Sequence, residues 1–296
     1  MSRTVRIGAR GSRLSVWQVQ YASDMLRRRS VTVDLVVLSS SGDRDQSVAI
    51  EDLPSAAPFA DDLEDALEAG VIDIAVHSLK DLALVPAAGL VVSALLPRGS
   101  VTESLVSRSH IRFDQLPHGS VIGTCSSRRQ AQVHLRRPDL VCRPIRGPVD
   151  DRVDQVRAGT FDAAILATAG LERLGLSDAI TETFSARDFV PAAGQGALAL
   201  QVREADAEAR AVTASLDHFA TRLATTAELA AQRHLDSAGQ LAAAYAFVQH
   251  AFITLHVRVL ERNGSDAVDV MASGTDPDRV ALDAVDRALD GWAVAR

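Results

Sequence analysis

The chain has 296 residues, with 31 basic against 38 acidic and a formal charge of −7. At 47% hydrophobic and 23% charged it can bury a core, which excludes a disordered chain, and roughly 150 residues per domain makes it two or three domains long. The acidic balance argues against a general nucleic-acid coat, which needs a basic face.

The N-terminal stretch carries Arg3, Arg6, Arg10 and Arg13 with no long apolar run behind them, unlike a secretory signal. Val5–Gly8 is short and β-like. Ser12–Arg29 has the apolar spacing of an amphipathic helix. Val31–Leu38 reads as a largely buried strand. Asp61–Ala69 reads as a helix and Val71–His77 as a second buried strand. Strands alternating with helices predict α/β units around a largely parallel sheet. A loose internal repeat points the same way: Ala69-Gly70-x-x-Asp73 and Ala158-Gly159-x-x-Asp162 each place a helix end, a Gly and an Asp before an apolar run. After about residue 216 the pattern changes to a small α+β domain. Its expected elements are a helix over His218–Leu235, strands over Leu241–Val248 and Ile253–Arg262, a hairpin at Asn263-Gly264, a returning strand Ala267–Ala272 and a closing helix Asp276–Trp292. The apolar run Leu241–Val248 is far short of the ~20 residues of a membrane span. Two cysteines, Cys125 and Cys142, exclude a disulfide scaffold and a Cys-rich zinc site. The eight histidines show no metal-ligand spacing. A soluble, cytoplasmic protein is expected.

Several clusters could carry chemistry. Of the 31 basic residues only Lys80 is lysine, and it stands in His77-Ser78-Leu79-Lys80-Asp81 at a predicted strand end. Ligands of open α/β sheets bind outside the carboxyl ends of strands. A carboxylate there can hold a cationic or N–H-bearing substrate, although Lys-Asp is also an ordinary surface pair. Gly119–Arg129 reads as a strand running into Gly-Thr-Cys-Ser-Ser and a helix. Its backbone N–H groups and Arg128 and Arg129 suit an anion; plain Ser capping explains the serines equally. Arg143, Arg146 and Arg152 follow another strand, and Arg10 and Ser12 close the first. This implies a positive cleft for a small polycarboxylate, against scattered surface arginine. Pro191–Gly196 reads as a hinge, with two glycines around Gln195.

Together these segments resemble the porphobilinogen deaminase (hydroxymethylbilane synthase) family. The matching stretches are RIGARGSRLSVWQ (6–18), DIAVHSLKDL (73–82), GSVIGTCSSRRQAQ (119–132), RRPDLVCRPIRGPVDDR (136–152), FDAAILATAGLERLGL (161–176), VPAAGQGALAL (190–200) and DHFATRLATTAELAAQRHL (217–235). The resemblance implies an α/β fold of three domains: residues 1–97 with 196–215, residues 98–195, and residues 216–296. The first two would be doubly wound lobes like those of periplasmic binding proteins. The third would be a small α+β domain with a three-stranded sheet that carries a covalent dipyrromethane in the family. The resemblance makes Asp81 the catalytic carboxylate, with Lys80, contacting pyrrole nitrogens and stabilising the azafulvenium left when porphobilinogen loses ammonia. Arg10, Ser12, Ser78, Thr124, Ser126, Arg128, Arg129, Arg146 and Arg152 match substrate-binding positions for acetate and propionate groups, and Gln195 a hinge-side glutamine.

The sequence also departs from the family pattern. In Asp236-Ser237-Ala238-Gly239-Gln240, Gly239 stands where the family has its cofactor-attachment cysteine. The family's Pro-Ile-Gly-Ser/Ala-Tyr-Ala has become Leu241-Ala242-Ala243-Ala244-Tyr245-Ala246. The basic active-site loop has become Glu51–Phe59, with acids in place of lysines, and an Asn after Arg-Gly is Pro148. The expected protein is therefore a diverged, monomeric member with no covalent dipyrromethane. It would bind porphobilinogen or a related carboxylated pyrrole and deaminate it at Asp81, passing the azafulvene to water or another acceptor. Two alternatives are a hydroxymethylbilane synthase with a non-covalent primer and a non-enzymatic polycarboxylate-binding module. Neither nucleic acid nor membrane is an expected partner.

Overall fold

The computed structural model describes residues 4–38 and 60–294; the Glu51–Phe59 loop lies outside the described residues. In chain order the elements are β1 (Val5–Arg10), α1 (Arg13–Arg27), β2 (Val33–Leu38), α2 (Asp61–Glu68), β3 (Ile74–Ser78), β4 (Leu90–Leu95), β5 (Glu103–Ser107), β6 (Val121–Gly123), α3 (Ser127–Arg136), β7 (Val141–Arg143), α4 (Val149–Arg157), β8 (Ala163–Ala167), α5 (Thr168–Arg173), β9 (Glu182–Thr183), β10 (Leu198–Arg203), α6 (Ala207–Ala214), α7 (Phe219–Ser237), β11 (Leu241–Gln249), β12 (Phe252–Leu260), β13 (Ala267–Gly274) and α8 (Pro277–Val294). They form two compact units. The first takes the chain up to Gly99 and again Gly196–Thr221; the second takes Ser100–Gln195 and the chain from Arg222 onward.

The first unit is a five-stranded sheet of order β2-β1-β3-β10-β4. β1 pairs parallel with β2 and β3, and β10 runs against β3 and β4. The second unit repeats that plan with order β7-β6-β8-β5-β9, in which β5 is the antiparallel insertion. The loose sequence repeat is the visible trace of this plan. In the first unit Asp73 accepts from Arg6 N at 2.9 Å and returns its own N–H to Arg6 O at 2.8 Å. In the second, Asp162 accepts from Val121 N at 2.7 Å and donates to Val121 O at 3.0 Å. Each Asp thus staples the start of a strand to its neighbour. Two residues further on, both units need a glycine. A Cβ on Gly8 would lie 2.5 Å from Ile72 Cδ1, and one on Gly123 would lie 2.9 Å from Ile145 Cδ1.

Beside these sheets the second unit carries the expected antiparallel sheet β11-β12-β13, packed on α7 and α8 through a core that includes Ala227, Leu235, Leu255, Val257, Ala284 and Trp292. Two details differ from expectation. β12 stops at Leu260, not Arg262, because the chain turns earlier: Glu261 N donates to Asp266 O and Gly264 N to Glu261 O. A Cβ on Gly264 would sit 2.5 Å from Ala131 O, so this turn needs glycine to press against α3. β2, read as buried from its valines, is a sheet edge with one neighbour among the described residues, and Val37 is 55% exposed. No helix among the described residues is long and apolar enough to cross a membrane.

Candidate active site

In the first unit, β1 and β3 end side by side, as parallel strands in register do. Ser12 caps α1 directly after β1 and accepts from Ser15 N at 3.2 Å. Ser78, the last residue of β3, accepts from Gln18 Nε2 of α1 at 3.0 Å. A single 3-10 turn, Leu79–Asp81, comes next, with Leu79 N donating to Ala197 O at 3.0 Å. Leu79 is buried, Lys80 is exposed and Asp81 is half-buried. Asp81 differs from the other acids near the core. Asp73 is held by Arg6 at 2.8 Å and by Arg203 at 3.1 Å, and Asp206 by Arg203 at 2.9 Å. Asp81 makes no hydrogen bond or ion pair with any described residue. A half-buried carboxylate with no counter-ion among the described residues, at the carboxyl end of a parallel strand, is placed to take up an external cation or N–H donor.

The second unit treats its predicted site residues differently. Ser126 caps α3 and accepts from Arg129 N, and Thr124 Oγ1 accepts from Ser126 N at 3.2 Å. Arg128 and Arg129 are each 7% exposed and converge on Glu103, which is 0% exposed. Arg128 donates to Glu103 Oε1 at 2.6 Å and to Val190 O at 2.7 Å. Arg129 donates to both Glu103 oxygens, at 3.0 and 2.7 Å, and to Ile165 O at 3.0 Å. Burial draws the Arg128 guanidinium below its ordinary value, opposed by Glu103 and reinforced by Arg129. The pair expected to face a carboxylate ligand therefore already holds an internal one. Gln195 is likewise 0% exposed, and its Nε2 donates to Val101 O at 2.7 Å and Thr102 O at 3.2 Å. These contacts give it a structural task beside Gly194 and Gly196, both at positive φ. Arg146 and Arg152 are half-buried around α4; Arg146 O accepts from Gln155, and Arg152 Nε donates to Gly147 O at 2.8 Å.

Two acids escaped the sequence reading. Glu103 is one. Glu228 of α7 is the other: fully buried, it accepts from Gly194 N at 2.8 Å and Ala246 N at 2.7 Å, tying the chain at Gly194 to β11. The signal for Glu103 was available, since an acid opening a strand otherwise made of Ser, Leu and Val needs a buried partner.

A family model described as porphobilinogen deaminase, dipyromethane cofactor binding domain, matches residues 5–211. The chain belongs to the porphobilinogen deaminase family. A porphobilinogen deaminase of Leifsonia xyli is 43% identical over 238 residues, covering 79% of this chain and 72% of that one. Another, of Albidiferax ferrireducens, is 37% identical over 284 residues, covering 95% and 90%. Among solved structures, the methionine binding protein MetQ covers 72% of this chain and 89% of its own at 15% identity and a TM-score of 0.45. A periplasmic substrate-binding protein from Coxiella burnetii covers 76% and 97% at 16% identity and a TM-score of 0.45.

Gly239, where the resemblance places the cofactor-attachment cysteine, offers no sulfur for a thioether. α7 ends in a Schellman motif: Gln240 N donates to Leu235 O at 2.9 Å and Gly239 N to Asp236 O at 2.9 Å. Gly239, at φ +72°, is the left-handed residue that closes it. Glycine has no sulfur, and an L-residue in this conformation would be strained. The two thiols lie in another part of the second unit. Cys125 Sγ donates to Ile145 O at 3.0 Å, and burial pushes the Cys142 thiol up to about 11, away from the thiolate that a nucleophile requires.

His77 of β3 is 4% exposed; burial, reinforced by the charge of Arg10 and opposed by Gln201, lowers its pKa to about 3. The unfolded chain therefore takes up a proton near pH 6.5 that the folded chain refuses until about pH 3. Stability is drained as pH falls through this window, by at most about 1.4 kcal/mol per pH unit. His77→Leu is expected to remove that slope, read as the difference between the two proteins' urea-unfolding free energies from pH 7 to 4. Equal slopes would show that the ring protonates in the fold.

Proposed function

We propose that this chain binds porphobilinogen, or a closely related carboxylated pyrrole, and releases its aminomethyl nitrogen as ammonia at Asp81, without a covalently attached dipyrromethane. The C–N bond breaks with its electron pair leaving on nitrogen, and the pyrrole nitrogen supplies electrons to the exocyclic carbon. The resulting azafulvenium is a cation with an N–H, which the Asp81 carboxylate holds and stabilises. Lys80 beside it and Arg10 in the same unit supply positive charge for acetate and propionate groups. Water or another nucleophile then adds to the exocyclic carbon. The protein acts on this reading as a cytoplasmic monomer, with no nucleic-acid or membrane partner.

The observation that carries the absence of a tether is Gly239, a helix-closing glycine at the position where the family attaches its primer. Family membership itself favours one second reading, a hydroxymethylbilane synthase that takes its primer from solution. Incubation with porphobilinogen separates the two. The proposal expects ammonia release, a hydroxymethylated or otherwise trapped monopyrrole as main product, and an intact mass equal to that of the polypeptide. Hydroxymethylbilane as main product favours the second reading, and a native mass heavier by two pyrrole rings defeats both.

A further inference from the structure

One buried polar group has no part in this chemistry as written. His77 sits one residue before the end of β3, and its Nε2 is buried with no hydrogen-bond partner. On the adjacent strand β10, Gln201 is 1% exposed, and its Oε1 is also buried without a partner. Register sets Ala199 opposite His77 and Gln201 opposite Ala75. Both polar side chains therefore project from the same face of the sheet, one donor-capable and one acceptor-capable. The far end of Gln201 is anchored, with Nε2 donating to Glu64 Oε1 of α2 at 2.7 Å. Burying an imidazole among such neighbours is unfavourable compared with burying leucine, and a buried polar atom kept under those terms calls for an explanation.

The explanation lies a few residues further along the chain. Ser78 is fixed on the opposite, α1 face of the sheet by Gln18 at 3.0 Å. Three residues after it comes Asp81. We propose that His77 is a positioning residue for that carboxylate: the two unsatisfied atoms, on the same face of adjacent strands, close on one another by side-chain rotation, the neutral ring donating Nε2–H to Gln201 Oε1 and completing a His77–Gln201–Glu64 chain. This chain pins the end of β3 from the α2 face while Gln18 and Ser78 pin it from the α1 face. The turn Leu79–Asp81 then leaves the sheet from a strand end that can shift toward neither helix, and the carboxylate is held in one place. The charged groups around the ring are Arg10 from β1, Glu64 from α2 acting through Gln201, and Lys80 and Asp81 further along its own segment. The inference rests on the reading of Asp81 given above.

Two measurements test it. The first compares wild type, His77→Leu and His77→Gln in ammonia release from porphobilinogen. His77→Leu, which leaves Gln201 Oε1 without its donor, is expected to stay folded and to lose kcat at least about tenfold, with KM within about threefold. His77→Gln, which keeps a nitrogen donor, is expected to recover most of the loss. A folded His77→Leu protein with wild-type kcat overturns the proposal. The second is nitrogen-15 NMR of histidine-labelled wild type, which needs neither activity nor a variant that folds. The expected signature is a neutral Nε2–H tautomer at both pH 8 and pH 5; the Nδ1–H tautomer, or a charged ring at pH 5, overturns the proposal. If wild type releases no ammonia, the reading of Asp81 falls, while the NMR result still decides the hydrogen-bonded chain.

Discussion

Glu103→Gln is expected to be the most destabilising single exchange in the second unit. Glu103, Arg128 and Arg129 are all buried, and the one carboxylate neutralises two guanidiniums through bonds of 2.6 to 3.0 Å. An amide keeps the size and part of the hydrogen bonding but leaves two positive charges adjacent in a poorly solvated interior. Removing one partner of a buried ion pair costs about 3–5 kcal/mol, and here the loss strands two partners, so the upper end is expected. Chemical unfolding, with hydrogen exchange followed across α3 and β5, reads it directly. A midpoint equal to that of wild type would show that Glu103 is not the counter-ion. A triple exchange to apolar residues of similar volume is the informative control. Buried ionic clusters replaced whole are often neutral or better for stability. If that protein folds but has lost affinity for porphobilinogen, the two arginines serve the ligand as well as the core.

This cluster marks where the sequence stops being legible. Arg128 and Arg129 follow a strand and a run of Ser and Thr, and from sequence alone that context fits an anion site as well as it fits a capped helix. The structure adds Glu103 as their partner, 25 residues earlier than Arg128, brought there by the antiparallel insertion of β5 next to β8. No local pattern carries that information. Gln195 is a similar case, since its bonds to Val101 O and Thr102 O, 94 and 93 residues away, follow from no local pattern. By contrast, the lobes themselves were legible. The Ala-Gly-x-x-Asp repeat encodes a helix end and a left-handed glycine, both local requirements, and an acid that clasps the neighbouring strand. β2 was misjudged as buried because Val-rich runs report strand preference, whereas edge or centre depends on how many neighbours the topology supplies. Gly239 was read as a missing sulfur; its φ of +72° shows that the same residue also gains a function, closing α7.

Asp81→Asn is expected to produce the largest loss of activity. The side chain makes no hydrogen bond or ion pair with any described residue, so the exchange should leave folding within about 0.5 kcal/mol of wild type, as surface substitutions usually do. It removes the negative charge that faces the developing azafulvenium while keeping an oxygen able to accept from a pyrrole N–H. Ground-state binding of porphobilinogen should therefore change little, and ammonia release should fall by at least about a hundredfold, the usual scale for losing one preorganised electrostatic contact in a transition state. Asp81→Glu separates charge from placement. It restores the charge but extends the arm by one methylene, so partial recovery would show that the field matters more than the reach, and none that position dominates. Ammonia release by Asp81→Asn at the wild-type rate would move the chemistry away from the end of β3, and porphobilinogen bound equally well by a protein that never releases ammonia would identify a binding module built on the family's fold.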